Sequence, residues 1–152
     1  MSTLRNILRR TLFGESDALA LAPIEETLTI PLVASADAST AVAASAPLPV
    51  PYDCDVVGVQ ITQAASVASH SANYASFALT RYKAASSGTL SAAVATRTTA
   101  AAGFSADVAD LTTPATSLAA LKVGDTLKIA VTKTGDGVST AAGTVAVRVR
   151  RV

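Results

Sequence analysis

The sequence predicts an all-β protein: an antiparallel β-sandwich or jelly-roll-like barrel of about eight strands, preceded by a short N-terminal amphipathic helix or arm. Three observations lead to this prediction. Apolar and polar residues alternate in several runs after residue 25, which is the period of a half-buried strand. Clusters of Gly, Pro, Ser, Thr and Asp separate these runs, as turns do. No long helical pattern follows residue 25.

The first thirteen residues have a helical rather than a strand-like pattern. Apolar residues recur at spacings of three and four, with arginines elsewhere around the helix: Leu4, Ile7, Leu8 and Leu12 against Arg5, Arg9 and Arg10. A helix of about ten residues is not stable alone in water, so it must pack against something. Two interpretations stay open: the helix packs on its own domain, or it is an arm that becomes ordered on a partner. We therefore divide the chain into an arm over 1–22 and a β domain over 23–152.

Five alternating runs in the β domain predict strands with one buried face. In chain order, the residues expected to share the buried face are Leu28, Ile30 and Leu32; Val57, Val59 and Ile61; Phe77 and Leu79; Leu127, Ile129 and Val131; and Val145, Val147 and Val149. The intervening stretches "ASADAST", "APLPVPYD", "ASSGT", "TTPATS" and "TGDGVSTAAG" predict turns. The last is longer than a tight hairpin needs, so we expect it to project from one end of the sandwich.

Composition excludes several classes of function. Charged residues make up 15% of the chain, and 12 basic side chains nearly balance 11 acidic ones, so the sequence favours contact with protein over contact with nucleic acid. The single Cys54 excludes an internal disulfide framework and a cysteine-based zinc site. No apolar run reaches the length of about 18 residues that a membrane span needs. We predict no membrane segment and no cofactor.

Residues that could perform chemistry are few. The only histidine, His70, lies in the polar stretch "VASHSANYAS", which lacks the G-x-S-x-G turn of one common hydrolase class, so we interpret it as a surface or turn residue. The pairs Asp53 with Asp55 and Asp107 with Asp110 are explained by turns and strand starts. "GDTL" and "TGDGVS" lack the helix and the lysine of a phosphate-binding loop. The sequence therefore predicts that the protein is not an enzyme.

Two further groups are candidates for binding. Arg148 and Arg150 share one side of the last predicted strand and form a short positive strip, which we expect to face water or an acidic protein surface. Aromatic residues do not interleave with them, so the strip is a weak signal for nucleic acid. Tyr52, Tyr74 and Tyr82 could stack on sugars, but Trp is absent and the three are typical of the rim of a core.

Beyond these patterns, the segments "PYDCDVVGVQIT", "HSANYASFALTRYK", "LKVGDTLKIAVTKTGDG" and "GTVAVRVRRV" together resemble small β-sandwich structural proteins of tailed bacteriophages, including head-decoration, or cement, proteins. The resemblance covers roughly residues 45–152. The matching residues are Asn73, Tyr74, Phe77 and Leu79; Gly124, Asp125, Leu127, Ile129, Val131, Thr132, Lys133 and Gly135; and Gly143, Val145 and Val147.

The resemblance implies a decoration protein that binds the outer surface of an assembled capsid and stabilises it through many weak contacts. It implies the major capsid protein as partner, a homo-oligomer, most often a trimer, and a place on the virion after synthesis in the host cytoplasm. Within the arm, the expected capsid or subunit contacts are Leu4, Arg5, Ile7, Leu8, Arg9, Leu12 and Phe13, with Arg148 and Arg150 as a second contact strip. The alternative is a receptor- or glycan-binding module of a tail or fibre, which would use the loops over 63–73 and 133–143.

Overall fold

The computed structural model of this protein describes residues 24–34, 43–84, 91–106, 108–110, 120–136 and 138–152. The predicted arm, with its contact residues between 4 and 13, lies outside the described residues. Within them the chain forms strands and no helix, so it contains no helix that is long and apolar enough to cross a membrane.

Ten strands are formed by the described residues. They are β1 (Glu25–Leu32), β2 (Ala43–Ala44), β3 (Leu48–Pro49), β4 (Cys54–Gln63), β5 (Tyr74–Tyr82), β6 (Ser91–Thr98), β7 (Val108–Asp110), β8 (Ala120–Leu121), β9 (Thr126–Thr134) and β10 (Gly143–Arg151). One sheet has the order β1-β10-β4-β7, with β8 also paired to β4. The second has the order β2-β9-β5-β6, with β3 also paired to β9. All of these pairings are antiparallel.

The core lies between the two sheets and confirms the predicted sandwich. Alternate residues of β5, β9 and β10 are buried, since a strand presents every second side chain to one face. The buried members are Phe77 and Leu79; Leu127, Ile129 and Val131; and Val145, Val147 and Val149. Phe77 meets Phe104 edge to face, with ring centroids 5.4 Å apart. Ile30 and Leu32 complete the core from β1, and Leu28 packs at its margin.

One predicted face is wrong at its first residue. Val57 was expected beside Val59 on the buried side of β4, but Val56 is the buried residue and Val57 is only half-buried. The pairing of β4 with β10 shifts register here, since Arg148 lies opposite Gly58 while Val149 lies opposite Val56. This β-bulge places one extra residue in β4 and reverses the alternation before it.

Five strands, β2, β3, β6, β7 and β8, occur where the sequence analysis predicted none, and β3 and β6 show why. The proline-rich stretch expected to be a turn contains β3, in which Pro49 pairs with β9 at the edge of the sheet, a position that proline tolerates. The Ala- and Thr-rich segment of β6 pairs with β5, and a second register shift leaves both Val94 and Ala95 buried. Small side chains and a bulge conceal the period-two pattern in β6.

The antiparallel order gives the sandwich two distinct ends. We call one the arm end, because β1 begins there at Glu25 and the covalent chain continues back from it into residues 1–23. Strands β4 and β9 also begin at this end, and β5 and β10 finish there. The opposite end, where β1 finishes and β5 begins, is called the far end.

Candidate functional site

A tight turn at the arm end carries the chain from one sheet to the other. It joins β8 to β9, and the N–H of Asp125 donates to the carbonyl of Lys122 at 2.9 Å. Gly124, the third residue of the turn, has φ of 86°, the left-handed value that a type II turn needs at this position and that glycine adopts without strain. The turn also exchanges two backbone hydrogen bonds with Val50, so it is attached to the chain beyond β3.

The carboxylate of Asp125 holds this corner together. Asp125 is only 4% exposed. Its Oδ2 accepts the N–H of Lys122 at 3.0 Å, and its Oδ1 accepts the N–H of Ala84 at 3.3 Å. Arg81 lies beside it, with Nε 3.9 Å from Oδ2, and donates from Nη1 to the carbonyl of Ala120 at 2.6 Å. The aspartate therefore links the turn to the end of β5.

Asp53 binds the outer side of the same turn. Its Oδ1 accepts the N–H of Val123 at 2.8 Å, and its Oδ2 accepts from Nζ of Lys122 at 2.9 Å. The Val123 hydrogen bond is the main cause that lowers the pKa of Asp53, and Lys122 lowers it further. The same contact with Asp53 raises the pKa of Lys122. Both oxygens of Asp53 are thus engaged by the protein itself. They bind a turn whose Val123 lies 70 positions away in the chain, and not a turn formed by the neighbours of Asp53 as the sequence analysis expected.

A second polar cluster at the arm end ties the start of β1 and the end of β10 to Tyr52, which precedes β4. The hydroxyl of Tyr52 donates to Oε2 of Glu26, whose Oε1 pairs with Arg151 at 2.8 Å. The guanidinium of Arg151 stacks on the ring of Tyr52, 3.9 Å from its centroid. The hydrogen bond to Glu26 is the main cause that raises the pKa of Tyr52. Arg151 thus has a partner set that sequence analysis did not assign.

Exposed apolar side chains gather at the arm end. Four of the five large hydrophobic residues that are exposed among the described residues lie here: Ile24, Tyr82, Val123 and Val152. Their proximity follows from backbone contacts, because Ile24 accepts from Arg151, Val152 donates to Asp53, and Tyr82 pairs with the residue after the turn. The fifth, Val33, follows β1 at the far end. The arm end is therefore the more apolar end of the described sandwich.

His70 occupies the far end and supports a turn. Its Nδ1 accepts the N–H groups of Ala72 at 3.2 Å and Asn73 at 2.9 Å, so this nitrogen is the unprotonated one. The backbone N–H of His70 donates to the carbonyl of Thr99. Oδ1 of Asn73 accepts the N–H of Asp136 at 3.0 Å. The imidazole thus shapes the turn before β5, as the interpretation of His70 as a turn residue expects.

The remaining candidates are spread over the molecule. Arg148 and Arg150 are exposed on the outer face of the first sheet, where Arg150 lies between Glu25 and Asp55 in register. The two ends of β5 carry Tyr74 and Tyr82, which are about 27 Å apart at the ordinary rise of a strand and cannot form one stacking platform.

The structure brings together residues that the sequence analysis did not connect. Arg81, Lys83 and Lys122 meet at the arm end around the turn. Among the described residues, no group of three His, Cys, Asp or Glu side chains could hold a metal ion. Asp107 lies outside the described residues, and only the backbone of Asp110 is described. No family model matches the chain, and no curated protein matches it either.

Proposed function

We propose that this chain is a capsid decoration protein of a tailed bacteriophage, and that its arm end is the surface that attaches to the shell. The protein has no reaction to catalyse; it binds the major capsid protein through many repeated contacts, as a homo-oligomer for which we favour a trimer, and stabilises the assembled head. One observation carries the proposal. The exposed apolar residues Ile24, Val123 and Val152 gather at the end that continues into residues 1–23.

Physical reasoning supports this use of the arm end. Exposed apolar side chains that lie together on an otherwise well-packed domain mark interaction surfaces. The surface around them is held by hydrogen bonds, since the turn at Lys122 joins both sheets and the Tyr52 cluster joins β1 and β10 to the residues before β4. A pre-formed surface loses little conformational entropy on binding, which favours the many weak contacts of a decoration protein.

The experiment compares two matched substitutions on heads of the virus that encodes the chain. Val123→Glu places a charge on the arm end, and Val33→Glu places one on the far end; the two valines are 62% and 58% exposed. If the arm end attaches, Val123→Glu should weaken head binding at least about tenfold, because it replaces an apolar contact with a carboxylate that must be desolvated. Val33→Glu should bind like the parent protein.

A third variant that lacks residues 1–22 tests the arm. We expect it to lose occupancy on heads, since the arm residues around Leu12 and Phe13 supply contacts of their own. Equal binding of the Val123 and Val33 variants would contradict attachment through the arm end. Absence of the parent protein from purified heads, together with binding to a glycan array, would contradict the decoration function and favour the receptor-binding alternative.

A further inference from the structure

A cleft of about 420 Å³ lies at the arm end between the end of β5 and the turn that precedes β9. Arg81 and Lys83 line it from the β5 side, and Lys122 and Val123 line it from the turn. Among the described residues that line the cleft, three are cationic and Asp125 is the one acidic residue.

The positive charge of this cleft is only partly neutralised by the described residues. Both oxygens of Asp125 accept backbone N–H groups, and its nearest approach to Arg81 is 3.9 Å. Nε of Arg81 is buried and has no hydrogen-bond acceptor within the described part of the chain. Lys83 is exposed and forms no ion pair with a described residue, whereas Lys122 pairs with Asp53. Arg81 and Lys122 thus contribute positive charge to the cleft while paired with Asp125 and Asp53, and exposed Lys83 is available to bind an anionic group.

The chemistry around the cleft selects one kind of anion. A polynucleotide would need a row of cations that neutralises several phosphates in succession. Here the cations converge on one cleft, and the carboxylates of Asp53 and Asp125 beside it would repel a run of phosphates. Val123 adds exposed apolar surface at the margin. A single carboxylate next to an apolar side chain fits both features, because arginine and lysine pair well with carboxylates.

We infer that this cleft, formed by Arg81, Lys83, Lys122 and Val123, binds an acidic segment of the shell protein, with a Glu or Asp side chain between the cations and an apolar neighbour on Val123. The inference rests on the proposed function, since it names the chemistry of the partner at the arm end. Charge complementarity selects the occupant.

The experiment uses the full ¹⁵N-labelled chain and two capped pentapeptides, one with three glutamates and two leucines and one with glutamines in place of the glutamates. Titration by NMR should shift the amide signals around Lys83 and Val123 with the glutamate peptide, and the shifts should weaken as salt screens the charges. Lys83→Glu should reduce the affinity by about fivefold or more, which is the scale of one exposed ion pair lost and one repulsion gained. Lys128→Glu, the same charge reversal on the outer face of the second sheet, should leave it unchanged.

Several results would overturn the inference. Shifts that centre on Arg150, equal binding of the glutamine peptide, or an oligothymidylate that binds the cleft more tightly than the glutamate peptide would each contradict it. The parent chain contains two acidic residues of its own, Glu15 and Asp17. If the parent does not bind the glutamate peptide but a variant with both residues changed to glutamine does, the cleft binds the chain's own acidic segment instead. If heads bind Lys83→Glu and the parent equally, the cleft does not contact the shell, and the decoration function still stands. If the chain binds the glutamate peptide but is absent from heads, the decoration function is refuted, and the anion-binding cleft still stands.

Discussion

Replacing Asp125 by alanine should strongly destabilise the fold, although the residue lies at the end of the sandwich and not in its apolar core. Its carboxylate accepts the N–H of Lys122 at 3.0 Å and the N–H of Ala84 at 3.3 Å. Alanine leaves both donors without an acceptor and leaves Arg81 without its neighbouring carboxylate at 3.9 Å. The turn that connects the two sheets then loses its attachment to β5.

The magnitude follows from these contacts. A hydrogen bond to a charged group contributes about 1.5–3 kcal/mol to stability. We expect the shorter bond to contribute near the middle of this range and the longer one near its lower limit. The Asp125 carboxylate is 4% exposed, so its desolvation has a free-energy cost that offsets part of these hydrogen bonds in the parent protein. The alanine variant does not have this cost. The free energy of unfolding should therefore fall by about 2–4 kcal/mol.

Urea unfolding measured by circular dichroism tests this value. Asp125→Asn keeps one acceptor oxygen but turns an amide NH₂ toward a backbone donor, so its loss should lie between those of the parent and the alanine variant. Asp136→Ala is the matched control, because Asp136 is an exposed aspartate in a turn at the far end; its change should stay within about 0.5 kcal/mol. A loss below about 1 kcal/mol for Asp125→Ala, or a loss equal to that of the control, would refute the reasoning.

Three further predictions concern stability and reactivity. Gly143→Ala should lower the free energy of unfolding in urea by about 2–4 kcal/mol, because its Cβ would lie 2.0 Å from a backbone oxygen of β4. Gly58→Ala should lower it by under about 1 kcal/mol, because its Cβ meets only the flexible end of an arginine side chain. Burial raises the pKa of the Cys54 thiol, so we expect Ellman's reagent at neutral pH to label it far more slowly in the folded than in the urea-unfolded protein, and equal rates would contradict the burial. Folding lowers the pKa of Asp53, so this residue stabilises the fold at pH values above its ordinary pKa of 3.8. This contribution to the free energy of unfolding is lost as the pH falls through the pKa of Asp53 in the folded protein. Asp53→Asn should flatten this acid-side fall in unfolding free energy, and an unchanged pH profile would exclude the contribution.

The alternation of apolar residues was sufficient to predict most of the sandwich. In β9 and β10 it identified the buried residues directly, because those strands have one face in the core and carry no extra residue of their own. It failed in β4, where the bulge near Val57 adds a residue that no local pattern reveals. It also failed in β6, where alanine and threonine are small enough to occupy either face.

The arm-end surface could not be predicted in the same way. Arg81 and Lys122 are 41 positions apart in the chain, and only the pairing of β5 with β9 brings them to one cleft. Arg151 was overlooked because its partners, Glu26 and Tyr52, come from distant strands. The turn role of His70, by contrast, depends on the neighbouring N–H groups of Ala72 and Asn73, so it was accessible from the sequence. The role of Asp53 was not, because the Val123 N–H that it accepts lies 70 positions away.

Electron cryomicroscopy of virions of the virus that encodes this chain tests most directly whether the arm end attaches the protein to the capsid. Our interpretation predicts density for the sandwich at regular sites on the outer surface of the head, with Ile24, Val123 and Val152 toward the shell and the His70 turn pointing away from it. Heads that lack this density, or sandwiches that face the shell with the His70 turn, would contradict it.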